Sequence, residues 1–382
     1  FKHLILFLIY FSLIVSCEKN QLLTPSCDGS NPTYADTIAS IIDQNCLQCH
    51  GYHSSHGNFS SFSGLMTVIS NGRFEQEVLI EQTMPSNGSL SQEQLNIISK
   101  EDIEFIHPKD FKKSLNEKKK NRKILLTIDD GLLSFYENAW PILKEKKIPF
   151  ILFVNTREVG SFNYMNWDQI LELHKSPNVE IGNHSHSHEY LVDENSSFIK
   201  RDIEKSIKIF EEKLGSNSKF FSYPFGEYSL EFKKIIYDLG FKYAFGQHSG
   251  VIDETKDLFE LPRYPINEKY GEIKRFKTLM KTLPLKYKSI TPEDKYLLQS
   301  KNPPLVKIEF YENIKNLNQI NCFSNEGNRW RNSQISFKEA NILEILITEK
   351  FVGERGRINC SLKEKNNYWR WLGIQYVISE NN

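Results

Sequence analysis

The 382-residue chain predicts a multidomain protein: a small all-α module, an α/β region built on parallel strands as a barrel or sheet, and a small all-β region at the C-terminus. Three observations predict it. Between about residues 101 and 290, short apolar, β-branched runs alternate with amphipathic helical stretches, the pattern of parallel strands joined by crossover helices. Ahead of them, helical periodicity over Asp36–Asp43 and a helix opening at Ser89-Leu90-Ser91 bracket a short helical module. Behind them, from Leu305 to Val377, the stretches LVKIEFY, EILITEKF and WRWLGIQYV are aromatic, β-branched and alternating, as in small sheets. The length suits two or three domains with real cores. Composition is that of an ordinary globular chain, and a formal net charge of zero gives no electrostatic footprint for nucleic acid.

In chain order, residues 1–17 read as a targeting segment. Lys2 precedes an apolar run from Leu4 to Val15 that is short for a bilayer span. Ile14-Val15-Ser16-Cys17 resembles a bacterial lipoprotein box, which implies cleavage before Cys17 and acylation of its thiol. The expected location is outside the cell membrane, lipid-anchored and facing the periplasm or cell surface. A plain secretory signal cut elsewhere is the alternative. Glu18 to Pro32 form a polar tether.

Residues 24–100 hold Cys46-Leu47-Gln48-Cys49-His50. A C-x-x-C-H run reads as covalent haem c attachment through Cys46 and Cys49, with His50 on the iron. A thioredoxin-like redox pair and half a zinc site compete with this reading. Thr83-Met84-Pro85 and the following helix resemble the small bacterial cytochrome c family, which implies Met84 as distal ligand and an electron-transfer partner; a buried core Met is the alternative. Lys112–Lys123 reads as a solvated, lysine-rich helix or linker.

The α/β region, residues 101–290, begins its chemistry at Lys123–Gly131, KILLTIDDG. A parallel-strand run ends in two adjacent carboxylates, Asp129 and Asp130, where open sheets expose reactive groups. Gly131 permits a tight turn. Neighbouring carboxylates repel unless a cation offsets them, and a metal ion is the usual one; an Asx turn is the bland alternative. Val179–Glu189, VEIGNHSHSHE, is a second strand end. His184 and His188, four apart, can meet one cation together with an aspartate, a two-His, one-carboxylate set with open positions. Further expected elements are strands at Phe150–Val154, Phe220–Tyr223 and Tyr243–Phe245, and helices at Trp167–His174, Ser196–Leu214 and Ser229–Leu239.

TIDDG with His184-Ser185-x-x-His188 resembles the first two motifs of the polysaccharide deacetylases. Phe221-Ser222-Tyr223-Pro224-Phe225-Gly226-Glu227-Tyr228 resembles their third motif in an SYPFGEY variant, and Leu261-Pro262-Arg263 the fourth region. The resemblance covers about Glu101 to Leu285. It implies a distorted (β/α) barrel and a divalent metal, commonly zinc, that serves removal of acetyl groups from an N-acetylated polysaccharide. On this reading Asp130, His184 and His188 hold the metal and Asp129 is the general base. A backbone N–H near Phe225 would donate to the oxyanion. Tyr223 and Phe225 would contact substrate, and His186 is second to the ligands or solvated. The family's third-motif arginine is absent, so Arg263 is the expected source of that positive charge. Its late Leu-x-His motif is absent too, so His248 is the first candidate for general acid and His107 the second.

In residues 300–382, Cys322 and Cys360 suit a disulfide in an exported protein, and Cys27 is left unassigned. Trp330, Trp369 and Trp371 could be sheet core or a sugar-stacking face. Two function classes follow: a metal-dependent deacetylase tethered to a haem module, or an exported haem lipoprotein whose barrel binds glycan without turnover.

Overall fold

Phe150–Val154 is buried at every position, and the rest of the α/β region is arranged around it. The computed structural model describes residues 103–117, 122–267, 270–312 and 314–379. The expected lipid-anchor cysteine Cys17, the haem ligands Cys46, Cys49, His50 and Met84, and Cys27 lie outside the described residues. Among the described residues, no helix is long and apolar enough to cross a membrane.

The main sheet contains β3 (Leu126–Ile128), β4 (Phe150–Val154), β5 (Val179–Asn183), β6 (Phe220–Ser222) and β7 (Tyr243–Phe245), all parallel and in sequential order. Helix α1 (Phe111–Asn116) precedes the sheet, and helices on the connections include α2 (Trp140–Glu145), α3 (Trp167–His174), α4 (Ser196–Leu214) and α5 (Leu230–Asp238). Asn166 and Gln169 form a capping box that starts α3. Asn195 caps α4, and Gly215, at φ +82°, ends it. Phe150, Leu152 and Val154 pack with Trp140, Ile170 and Phe210 on one face of the sheet. Ile151 and Phe153 pack with Phe111 and Phe245 on the other, so β4 is apolar throughout because both its faces are covered.

Two features differ from expectation. The apolar run Lys123–Ile128 is not one strand. Arg122–Ile124 (β2) pairs with Ile103–Phe105 (β1) as a separate parallel pair, and Leu126–Ile128 alone joins the main sheet. A continuous apolar run does not reveal that its hydrogen-bonding partner changes halfway. The sheet is also an open half-barrel of five strands among the described residues, where the resemblance implied a distorted barrel. Beyond β7 the chain leaves the sheet through an isolated bridge from Phe245 to Leu261.

The C-terminal strands form two layers. One sheet runs β10 (Tyr296–Leu297), β17 (Trp369–Ile378), β16 (Arg355–Lys363), β12 (Asn321–Ser324), β13 (Arg331–Asn332), with β8 (Thr282–Pro284) also on β17. The other runs β14 (Gln334–Glu339), β15 (Ile342–Leu346), β11 (Leu305–Phe310), β9 (Tyr287–Thr291). Val306, Ile308 and Phe310 of one sheet share a core with Ile358, Ile374 and Tyr376 of the other. These alternate positions are the inner faces of a sandwich. Cys322 and Cys360 face each other on β12 and β16 and are disulfide-bonded. β8, β9 and β10 enter these sheets from upstream of residue 300. Trp330, beside β13, is exposed and stands across β16 and β12 from half-buried Trp369 and Trp371 on β17, so the three do not share one stacking face.

Candidate active site

Four strands of the main sheet run out into polar residues at one rim. β3 leads into Asp129-Asp130-Gly131, β5 into His184-Ser185-His186-Ser187-His188, β6 into Tyr223-Pro224-Phe225, and β7 into Gly246-Gln247-His248. Parallel order places all these carboxyl ends side by side.

Asp130, His184 and His188 converge there. The two Nε2 atoms stand 3.1 Å apart, and Asp130 Oδ1 lies 3.4 Å from that of His184 and 3.3 Å from that of His188. Among the described residues this is the only group of three potential metal ligands brought together. Ligand atoms about 2.0–2.1 Å from a tetrahedral zinc ion stand about 3.3–3.4 Å from one another, so the triangle has the size such an ion requires. The tautomers agree with that use. His184 Nδ1 is 2.7 Å from the Ser222 carbonyl, which can only accept, so Nδ1 carries the hydrogen and Nε2 of the neutral ring turns a lone pair inward. Burial opposes charge on His184, but Asp130 and Asp129 outweigh it and raise its pKa. Burial and the neighbouring His184 push His188 down to about 4.

Asp129 is held apart from this triangle by Arg263. The guanidinium donates from both terminal nitrogens, at 2.7 Å to Oδ1 and 2.8 Å to Oδ2. Arg263 is itself fixed by the Gly246 carbonyl at 2.8 Å, the Ser222 hydroxyl at 2.9 Å and the Thr127 hydroxyl at 3.2 Å. The positive charge missing from the third motif therefore arrives from the fourth region, with Ser222 as its partner. Burial works against ionisation of Asp129, yet Arg263 and His184 outweigh it and hold the carboxyl below its ordinary range.

The backbone at the site is unusual. Asp130 (φ +75°), Ser185 (+69°), His188 (+52°) and Phe225 (+59°) all lie in the left-handed region, and Gly131 (+76°) continues the turn after Asp130. Such conformations cost on the order of 1–3 kcal/mol each and persist only where the surroundings enforce them. Here the enforcement is visible. Ser185 N–H donates to Asn183 Oδ1 at 3.0 Å, and His188 N–H to Ser185 Oγ at 3.0 Å. His186 and Ser187 N–H groups donate to Asp202 of α4 at 2.9 and 3.1 Å, while Ser206 of α4 donates to Asn183 at 3.0 Å. Asp202 and Ser206 escaped the sequence reading. Their signal is there in retrospect: two polar residues fall within the buried stripe Ile199, Ile203, Phe210 of α4.

Other expected residues fall elsewhere. Tyr223 points into the core, fully buried, with its hydroxyl on the Phe259 carbonyl at 2.9 Å, so it is not a substrate contact. Phe225 does reach the site: its ring centroid is 4.9 Å from that of His188. Gly226 beside it approaches the Gln247 backbone so closely that a Cβ would stand 2.4 Å from its nitrogen. His186 turns its Nδ1 to Thr156 Oγ1 at 2.9 Å. His107 binds the Pro177 carbonyl, ahead of β5, and so sits at the end of the sheet opposite the site. His248 packs toward Tyr228, and its Nδ1 is buried without a hydrogen-bond partner. Burial, reinforced by Lys295, Lys256, Arg263 and Lys233, pushes its pKa down to about 3. A histidine held neutral at working pH has no imidazolium proton to give, which corrects its expected use as general acid.

Strand-end carboxylates and histidines, opened to one rim of a parallel half-barrel, define a hydrolase of the α/β class with a ready divalent-metal site. The chain belongs to the polysaccharide deacetylase family, enzymes that hydrolyse carbon–nitrogen bonds other than peptide bonds: the family model described as polysaccharide deacetylase matches residues 116–244, the stretch that carries Asp129, Asp130, His184, His188 and Phe225. A poly-beta-1,6-N-acetyl-D-glucosamine N-deacetylase of Staphylococcus aureus (strain MRSA252) is 30% identical over 203 residues, covering 48% of this chain and 69% of the relative. The protein of the same name from Staphylococcus epidermidis is 26% identical over 203 residues, covering 49% and 68%. Among solved structures, IcaB from Ammonifex degensii is 25% identical, with a TM-score of 0.44 over 46% of this chain and 82% of that one.

Proposed function

We propose that this polysaccharide deacetylase removes acetyl groups from an N-acetylglucosamine-type polymer in a reaction that depends on a divalent metal, zinc by the chemistry of its ligands. The observation that carries the proposal is the triangle of Asp130 Oδ1, His184 Nε2 and His188 Nε2 beside an Asp129 that Arg263 keeps ionised. Asp130, His184 and His188 would hold the metal, which when bound polarises the acetamide carbonyl and acidifies water.

The chain's own residues do the rest. Asp129 takes a proton from the attacking water as its oxygen bonds to the carbonyl carbon. Because Arg263 disfavours the neutral carboxyl, protonated Asp129 is a stronger acid than an ordinary aspartic acid. It hands the proton on to the departing nitrogen as the carbon–nitrogen bond breaks, leaving the free amine and acetic acid, which loses its proton to solvent as acetate. A backbone N–H at Phe225 donates to the developing oxyanion, and the Phe225 ring borders the site against His188.

The remaining readings rest on the sequence motifs: haem c on Cys46, Cys49 and His50 with Met84 as distal ligand, a redox partner for it, and membrane attachment through Cys17. The Cys322–Cys360 disulfide supports an exported, oxidising location. The test is mass spectrometry of products from a panel of N-acetylated glycan oligomers, with and without chelator. Loss of acetyl groups that stops on chelation and returns with zinc is expected. A protein that binds glycan and metal but releases no acetate is instead the silent barrel.

A further inference from the structure

We infer that Arg355, on β16 of the C-terminal sandwich, is a positioning residue for the deacetylase site, acting through Glu227 and Phe225 on the ring of His188. The inference rests on the reading of Asp130, His184 and His188 as that site. The guanidinium of Arg355 bonds Glu227 and stands 6.0 Å from the centroid of the Phe225 ring. Glu227 is 2% exposed, and burial raises its pKa; Arg355 of β16 opposes that rise by bringing a cation to the carboxylate from outside the α/β region. The Tyr190 phenol lies beside Glu227, and its ring centroid is 5.5 Å from that of Phe225. Tyr190 follows His188 by two residues, and Phe225 lies 4.9 Å from His188.

These contacts close a loop from Arg355 through Glu227, Tyr190 and Phe225 to a ligand histidine. The segment has little slack. Phe225 is left-handed at φ +59°, and Gly226 is pressed against Gln247. A strained turn of this kind keeps its shape only while its ends are tied, and Arg355 ties one end. The C-terminal sandwich is then part of the frame of the active site. Outer residues that orient metal ligands cost about 10- to 100-fold in metal affinity or activity when removed.

The test uses the full chain labelled at histidine, first without metal. In Arg355→Met the His188 ring signals should shift or broaden in NMR spectra, while those of His174, at the surface end of α3, stay in place. With metal, kcat should fall about 10- to 100-fold with a smaller change in KM, and zinc affinity should fall by a similar factor. Arg355→Lys should recover part of each. Since Arg355→Met strands a buried carboxylate, Glu227→Leu/Arg355→Met removes both charges and should fold cooperatively while still showing displaced His188 signals. Wild-type His188 signals in a folded single or double variant would overturn the inference. A wild-type protein that bound no metal would overturn the site reading instead, and the metal-free histidine signals would still decide the role of Arg355.

Discussion

After β5 the chain presents His184 and His188 beside Asp129 and Asp130; after β7, at the same rim, it presents His248 among Lys233, Lys256, Lys295 and Arg263. In sequence the two stretches are alike, each a short parallel strand that ends in histidine. In space the charges around them differ in sign, carboxylates for the β5 pair and cations for His248, although burial lowers the pKa of His188, to about 4, as it does that of His248. Carboxylates raise the pKa of His184, whereas burial and cations drive that of His248 to about 3. The backbone differs as well. The β5 loop is left-handed at Ser185 and His188 and is tied by the side chains of Asn183, Ser185 and Asp202, while His248 lies outside the left-handed region and is tied through its carbonyl to the Arg263 N–H at 3.0 Å. The difference teaches that strand-end position offers a histidine to the rim, and that the groups facing it decide whether it serves as ligand or as packing.

The comparison breaks most visibly if the ligands are removed. His184→Ala and Asp130→Ala should each lose bound zinc by elemental analysis and reduce turnover by more than about 100-fold, beyond the usual cost of an outer residue. Zinc retained in folded His184→Ala would end the metal reading. Asp129→Asn should keep zinc while turnover falls about 10²–10⁴-fold, since it leaves the ligands in place and removes the group that takes and returns the proton. Because Arg263 holds the Asp129 carboxyl low while Asp130 and Asp129 raise the pKa of His184, the acid loss of activity and of bound zinc should track protonation of the ligand His184 rather than of Asp129. The stability that this ion pair contributes is present above the unfolded-state pKa and is lost as pH falls through the folded one.

Asp202→Asn sharpens the comparison, because it loosens the β5 loop without touching a ligand. Zinc affinity or kcat should drop by about 10- to 100-fold, read by zinc titration and by initial rates. His248→Gln should have the smallest catalytic effect, within about threefold, far from the loss expected on removing an acid–base group. Its signature lies in stability. Folded His248 stays neutral down to about pH 3, while the unfolded residue takes up a proton near its ordinary pKa. Between about pH 7.5 and about pH 5 the wild type should therefore lose about 2 kcal/mol through this group, and the variant should not. Urea melts of both proteins at the two pH values check it; a large catalytic loss in His248→Gln would return this histidine to the mechanism.

Much of the α/β region is legible in the chain because its information is local. The strand Phe150–Val154 and the helices Trp167–His174 and Ser196–Leu214 have the bounds that periodicity and their caps Asn166 and Asn195 imply. Asp130, His184 and His188 could be singled out for the same reason: each sits just past a run of strand residues, and chemistry at such ends is shared among parallel sheets. The alternation in Leu305–Phe310 likewise marks a strand with one buried face.

What only the tertiary structure decided involves residues that meet from distant parts of the chain. Leu125 marks a change of strand partner inside one apolar run, and no property of the run encodes it. Tyr223 and Phe225 are two apart in one motif, yet packing against Phe232 and Tyr228 takes the first into the core while a left-handed turn gives the second to the site. Arg263 reaches Asp129 across 134 residues, and Arg355 reaches Glu227 across 128. Local pattern determines which residues can form a strand and what chemistry its end can offer. Whether a strand-end histidine faces carboxylates, as His184 does, or cations, as His248 does, is a sum over the whole fold, so it exists only once the fold is made.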